Sequence, residues 1–354
     1  MNAKRKILAI LTLTMLSMPV FTANIPTTIQ ASVQAETGAK WMEAKAECVM
    51  EKESRRILYA NHADVCLPMA STTKIATATT VLLECDNLQE EIIIPQEATG
   101  ITGSSVYLQS GAIYTVKDLL YGLMLRSGND CATALALRFG GSEAGFAVKM
   151  NDVAQKAGAL NTHFKNPHGL PCSGHYTTAR DLSLITCYAL QNPVFQEIIS
   201  TKYYAPRAWK NKNKMLSLYD GAIGVKTGYT KEAGRCLVSA ATRENMTLIC
   251  TVLNCSTTYE RSIQLLDDAF KAYSKEKLLS REQIFSITDG KTTVDAQTNT
   301  DFYYPILKEE KEWIETRVKG VDSGLKTKKQ GEIVGEIEIY LAKRLLFLGN
   351  LYKL

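Results

Sequence analysis

PMASTTKIATATTVLLEC, residues 68–85, is the stretch on which the reading of this chain turns. Pro68 punctuates the chain, and Ile75, Ala78, Val81 and Leu82 then recur at the spacing of a helix with a buried face. The helix is entered at Ser71, and Lys74 follows three residues on. Side chains three apart share a helix face, about 5–6 Å between Cβ atoms, so the amine can reach the hydroxyl. A serine hydroxyl is a poor nucleophile at neutral pH and needs an adjacent base. Lysine serves when desolvation or a neighbouring cation lowers its pKa, and Met69, Ala70, Ile75 and Ala76 give it uncharged surroundings. Alone the pair says little, because a capping serine on a surface helix has the same spelling.

Two further elements lie downstream. From Thr115 to Phe139 apolar residues repeat at three and four around a polar interruption, Arg126 to Asp130, which we place on a short loop between two helices. Within it, Ser127-Gly128-Asn129 offers a hydroxyl for proton relay and an amide to grip a peptide backbone, although the same letters also spell an ordinary turn. The apolar strand GAIGVKTGYT then carries Lys226-Thr227-Gly228. A cation and a hydroxyl suit a carboxylate, and a glycine lets a substrate backbone lie close, whereas the bland reading is an edge strand guarded by lysine.

Around these, Ala46 to Met50 and Ile57 to Tyr59 read as a hairpin about EKESRR, and Glu143–Ala157 and Ala179–Leu190 read as helices. GRCLVSAATR and MTLICTVLN form a late hairpin turning at RENM, and Arg261 to Ser274 is an amphipathic helix that packs back on the sheet. Strands at both ends with helices between make an α+β layer rather than a wound parallel sheet. Beyond about Lys275 short alternating runs among Asp, Gly and Lys turns indicate a small all-β domain. We expect residues 1–35 to be a targeting segment, 36–275 the catalytic domain and 276–354 the β-rich domain.

In order and context the elements S-x-x-K, S-x-N and K-T-G resemble those of β-lactamases and penicillin-binding proteins. The usual middle element is Ser-Asp-Asn. Gly128 in place of Asp is similar to the low-molecular-mass D-alanyl-D-alanine carboxypeptidases. PMASTTKIATA, GSSVYL, LLYGLMLRSGNDCATALA, NPHGLP, YTTARDLSLI, GVKTGYT and AGRCLVSAATRENMTLICTVLN resemble that family's blocks in its order, from about Met50 to Leu278. The resemblance implies a β-lactamase/transpeptidase-like domain, an antiparallel sheet with helices, followed by a small all-β domain. It implies Ser71 as nucleophile, Lys74 as its base, Ser127 as proton relay and Asn129 as the grip on the substrate amide. Lys226 and Thr227 would hold the terminal carboxylate region beside Gly228, with Arg261 as charged partner. The N–H groups of Ser71 and Tyr229 would form the oxyanion hole. The implied substrate is a peptidoglycan stem peptide ending in D-Ala-D-Ala, and β-lactams are the implied inhibitors. No cofactor is implied.

Competing functions are a β-lactamase and a non-catalytic penicillin- or wall-binding protein. Class A β-lactamases place a glutamate between the second and third elements, whereas NPHGLPCSGHYTT holds neither Glu nor Asp. A binding module would tolerate a degraded motif, and here every element is complete. His168 is expected to shape its loop, since a serine–lysine site needs no histidine, and Cys131 to pack as an inert thiol.

Composition agrees with export. The 354 residues suit two folded units plus a targeting segment, and a net charge of +5 with no basic stripe excludes nucleic-acid binding. Lys4, Arg5 and Lys6 precede an uncharged apolar run from Ile7 to Val20, with small residues at Val33 and Ala35, so we expect a secretory signal cut after Ala35. The destination would be extracytoplasmic, in the wall or at the outer face of the membrane. Nine cysteines leave at least one unpaired; most sit in apolar runs, and Cys48 with Cys66 is the expected bridge. His163, His168 and His175 lack ligand companions, so no metal is expected. LLFLGNLYKL, after Lys343 and Arg344, reads either as a membrane-interface segment or as a final strand.

Overall fold

The computed structural model describes residues 44–321 and 323–354. The expected signal and its cleavage point lie outside the described residues. The opening hairpin pairs β1 (Ala46–Glu51) with β2 (Ile57–Asn61). A 3₁₀ turn over Ala70–Thr73 leads into α1 (Lys74–Glu84), whose first eight residues are all buried. Its threonines survive burial because Thr79 and Thr80 return their hydroxyls to the carbonyls of Ile75 and Ala76. A small hairpin of β3 (Glu91–Ile93) and β4 (Ile113–Thr115) feeds α2 (Val116–Leu125), where Thr115 Oγ1 accepts the Asp118 N–H as a cap. α3 (Asn129–Gly140) follows, then α4 (Glu143–Ala157), α5 (Ala179–Ala189) and α6 (Pro193–Ser200). Helix α3 resumes at Asn129, two residues earlier than expected, so Asn129 sits in its first turn.

A two-residue pair, β5 (Tyr203–Tyr204) with β6 (Trp209–Lys210), and the short α7 (Met215–Leu218) lead to the sheet's remaining strands. These are β7 (Ala222–Thr230), β8 (Gly234–Arg243) and β9 (Met246–Leu253), after which α8 (Thr258–Ala272) closes the layer. The sheet is antiparallel throughout in the order β2-β1-β9-β8-β7. Alternation assigns its faces. Cys48, Met50, Val238 and Ile249 join the core beneath α1–α6, whereas Val49, Leu237, Leu248 and Val252 join Leu265 and Leu266 of α8. Strand β7 is an edge, so one side of it is open to a ligand.

The second part is all β, as expected. It contains β10 (Tyr273–Leu279), β11 (Phe285–Thr288), β12 (Thr293–Gln297), β13 (Phe302–Leu307), β14 (Ile314–Gly320), β15 (Ile333–Leu341) and β16 (Arg344–Lys353). A sheet in the order β11-β12-β16-β15-β14 accompanies a β10–β13 pair. LLFLGNLYKL falls in β16, hydrogen-bonded between β12 and β15, which is the final-strand reading of that segment. Among the described residues no helix is long and apolar enough to cross a membrane.

The junction between the two parts is charged and buried. Arg56 donates to Glu310 Oε1 at 2.5 Å and to the Pro305 carbonyl at 2.7 Å, with the rings of Tyr273 and Tyr304 at 5.2 and 5.3 Å. Lys275 reaches Glu51 at 3.0 Å and Glu53 at 2.9 Å. The expected Cys48–Cys66 bridge is absent: Cys48 is buried in β1, whereas Cys66 is exposed.

Candidate active site

Lys74 is fully buried, and its Nζ lies 3.0 Å from Ser71 Oγ. It also donates to Asn129 Oδ1 and to the His168 carbonyl, each at 2.7 Å. Asn129 cannot be turned round, because its Nδ2 donates to the Thr102 carbonyl at 2.6 Å. Both of these acceptors are fixed as acceptors. A neutral amine therefore spends its two hydrogens on them and keeps its lone pair for the Ser71 hydroxyl. Burial pushes the Lys74 pKa well below its usual value, and the cations of Lys226 and Lys212 push the same way, against Cys131 and Asp130.

The other two elements come to the same place. Lys226 lies opposite Val238, on the face covered by the helices. Its Nζ donates to the Thr227 carbonyl at 2.9 Å, and burial with the nearby Lys212 cation lowers its pKa to about 7. Strand β7 passes directly over the nucleophile's turn: a Cβ on Gly228 would stand 3.0 Å from the Met69 carbonyl and 3.1 Å from the Ser71 nitrogen. Glycine there leaves the Ser71 N–H open. Thr227 is half-buried at the open edge, and Tyr229 beyond it is exposed. Ser127 is buried and takes a left-handed backbone, φ 63°, on the loop between α2 and α3. Gly128 has a steric cause, since a Cβ would meet Asp130 Oδ1 at 2.7 Å and Cys131 Sγ at 3.0 Å.

Arg261 is the exception, and the structure corrects its assignment. Its Nε and Nη2 donate to the two carboxylate oxygens of the buried Glu47 at 2.6 and 2.9 Å, and Nη2 also reaches Tyr59 Oη at 3.0 Å. Glu47 and Tyr59 belong to β1 and β2, separated from β7 by β8 and β9. An unpaired carboxylate buried on β1 captures the guanidinium and turns it away from the cluster.

Several participants were not visible in the sequence. Lys212 sits in the run KNKNK, which spells a solvated face, yet its Nζ lies 3.4 Å from Ser104 Oγ and its charge is felt at both buried lysines. Asp130 is buried and accepts from Ser105 Oγ at 2.5 Å and from the Val106 and Leu108 N–H groups, both at 3.0 Å, pinning the GSSVYL loop beside the site. His168 contributes its backbone carbonyl, while its ring accepts the Leu170 N–H and faces Glu143, as expected of a residue that shapes its loop.

A partly exposed serine against a buried lysine, beneath an open sheet edge, defines a serine acyl-enzyme that uses lysine where better-known hydrolases use histidine, the class of the penicillin-interacting enzymes. Within that class the chain belongs to the D-alanyl-D-alanine carboxypeptidase family of serine peptidases, whose model matches residues 31–257; the C-terminal domain of penicillin-binding protein 5 matches residues 272–353. The D-alanyl-D-alanine carboxypeptidase DacF of Bacillus subtilis is 35% identical over 255 residues, covering 68% of this chain and 66% of its own length. Penicillin binding protein 5 from Haemophilus influenzae superposes with a TM-score of 0.74 at 26% identity, over 90% of this chain and 98% of that one. The DD-transpeptidase of Streptomyces K15 gives 0.62 at 36% identity, over 65% of this chain and 98% of that one.

Proposed function

We propose that the chain is an exported DD-carboxypeptidase that removes the terminal D-alanine from peptidoglycan stem peptides through an acyl-enzyme on Ser71. The observation that carries this reading is Lys74: fully buried, 3.0 Å from Ser71 Oγ, with both other partners restricted to accepting. Ser71 Oγ bonds to the carbonyl carbon of the penultimate residue as its proton passes to Lys74 Nζ. The carbonyl oxygen takes the electron pair against the N–H groups of Ser71 and Tyr229. The carbon–nitrogen bond then breaks, and the departing D-alanine amine takes the proton from Lys74 by way of Ser127. Water attacks the ester, gives a proton to Lys74, and Ser71 leaves with that proton restored. With Arg261 committed to Glu47, the substrate's terminal carboxylate falls to Thr227 and the positive field of Lys226 and Lys212. The charged and apolar N-terminal run supports export, and β-lactams, which present the same acyl chemistry, are the expected inhibitors.

The test is intact-mass spectrometry with benzylpenicillin beside a release assay on a peptide ending in D-Ala-D-Ala. One adduct, located on Ser71 and absent from Ser71→Ala, together with free D-alanine from the peptide, is the expected result. An adduct on another residue overturns the assignment. A Ser71 adduct that clears rapidly, with no D-alanine released, would instead favour a β-lactamase.

A further inference from the structure

We propose that His175 is a positioning residue for acylation: acting through Thr73, it holds the carbonyl of Ala70 and with it the turn that presents Ser71. This rests on the acyl-enzyme reading and adds a residue that the proton transfers do not use.

The directions of three successive hydrogen bonds are forced. The backbone N–H of Lys165 donates to His175 Nδ1 at 3.0 Å, so that nitrogen is the acceptor and Nε2 carries the ring proton. Nε2 lies 2.9 Å from Thr73 Oγ1, which must therefore accept from it. The Thr73 hydroxyl proton is left free to go to the Ala70 carbonyl, 2.8 Å away, and that oxygen can only accept. The relay thus runs one way, from the loop to the residue immediately before the nucleophile.

Ala70 is where such a hold is needed. It is buried and takes a left-handed backbone, φ 49°, which a residue bearing a Cβ adopts only when its surroundings enforce it. The same carbonyl is pressed from the loop side by Gly169, where a Cβ would stand 1.9 Å from it. The loop is fastened to α1 again by Thr77 Oγ1, which donates to the Pro167 carbonyl at 2.6 Å, and by the His168 carbonyl on Lys74. Residues 167–175 therefore form a strap behind the nucleophile's turn, and His175 is its far fastening. Burial keeps the ring neutral, with a pKa lowered to about 4, and the neighbouring His168 and His163 act in the same direction. The relay's proton arrangement is thus unchanged throughout the neutral range.

The experiment measures the first-order acylation rate at saturating benzylpenicillin, the dissociation constant of the preceding non-covalent complex, and the urea midpoint. The proteins are the unaltered chain, His175→Leu, His175→Gln, Thr73→Val and the Leu/Val double variant. Loss of one aligned hydrogen bond corresponds to about tenfold in rate, which is the expected effect of His175→Leu and of Thr73→Val. The dissociation constant should stay unchanged. Gln, which can accept from Lys165 and donate to Thr73, should restore most of the rate, and the double variant should be no slower than either single one. An undiminished rate in His175→Leu or Thr73→Val overturns the proposal, as does a Gln variant as slow as Leu or losses that multiply in the double variant. Should the Leu protein fail to fold, Thr73→Val and His175→Gln decide the matter. Absence of a Ser71 adduct in the unaltered chain would overturn the acyl-enzyme reading and this proposal together. A normal adduct with indifferent variants would remove His175 alone.

Discussion

Lys74 has two hydrogens to give when neutral, and two oxygens that can only receive them. Arginine at this position keeps its proton at any accessible pH, so Lys74→Arg should lose benzylpenicillin acylation by several orders of magnitude, read by adduct mass against time. Depressed lysines also fix the sign of the pH response. Acylation should rise with pH as Lys74 releases its proton, which burial and the neighbouring Lys226 and Lys212 cations move well below the free-lysine range. A limb centred at the free-lysine value of about 10.4 would contradict the desolvated site. Stability follows the same sign: unfolded Lys226 keeps its proton up to 10.5, whereas the folded chain releases it near 7. Between those values the unfolded state binds more protons, so stability rises with pH, and the urea midpoint of Lys226→Met should show a flatter slope. Arg261→Ala leaves Glu47 buried without a counter-charge and should cost about 3 kcal/mol of stability. Its kcat/KM should be equally affected on a D-Ala-D-Ala peptide and on its C-terminal amide. Lys212→Ala, by contrast, should weaken the free acid more than the amide, because its cation both attracts the carboxylate and helps to keep Lys74 neutral.

At the scale of elements, the strap and the strand crossing are the points of least tolerance. Gly169 combines φ +87° with the approach to Ala70, so Gly169→Ala must displace the strap and should abolish acylation as well as lowering stability. The β8–β9 turn is a milder case. Glu244 and Asn245 both have positive φ, 46° and 63°, the geometry that favours Asn-Gly, so replacing the pair by Asn-Gly should stabilise by about 0.5–1 kcal/mol in urea unfolding. These elements also show what the sequence could reveal. α4 and α5 were legible because period and caps agreed, with Ser142 and Thr178 accepting the N–H groups of Gly145 and Asp181. α6 was missed: PVFQEIIS is too short to display a period, although Asn192 before Pro193 was a start signal that could have been read. Two- and three-residue strands such as β3 to β6 cannot show alternation at all. The lysine and serine of the site were legible because helix geometry binds them locally. Arg261 was not, because its direction is set by a carboxylate 214 residues away, and the Cys48–Cys66 pairing failed for the same want of long-range information.

Across the whole molecule, the junction between the peptidase layer and the β part depends on charge taken out of water. Arg56→Met strands Glu310, which is 5% exposed, and should cost on the order of 3 kcal/mol while leaving Ser71 acylation at its normal rate. Limited proteolysis should then cut between residues 273 and 285 faster than in the unaltered chain; unchanged resistance would mean that the apolar contacts of Tyr273 and Tyr304 suffice to hold the junction. The position of β1 has a further consequence, in time rather than in space. It is the first strand of the sheet to be synthesised, yet it sits between β2 and β9, and Ala46 pairs with Leu253. Its Glu47 finds its counter-charge only when Arg261 has been made. Such distant pairings make closure late and slow. Nearly the entire peptidase layer must leave the ribosome before its first strand has a second neighbour.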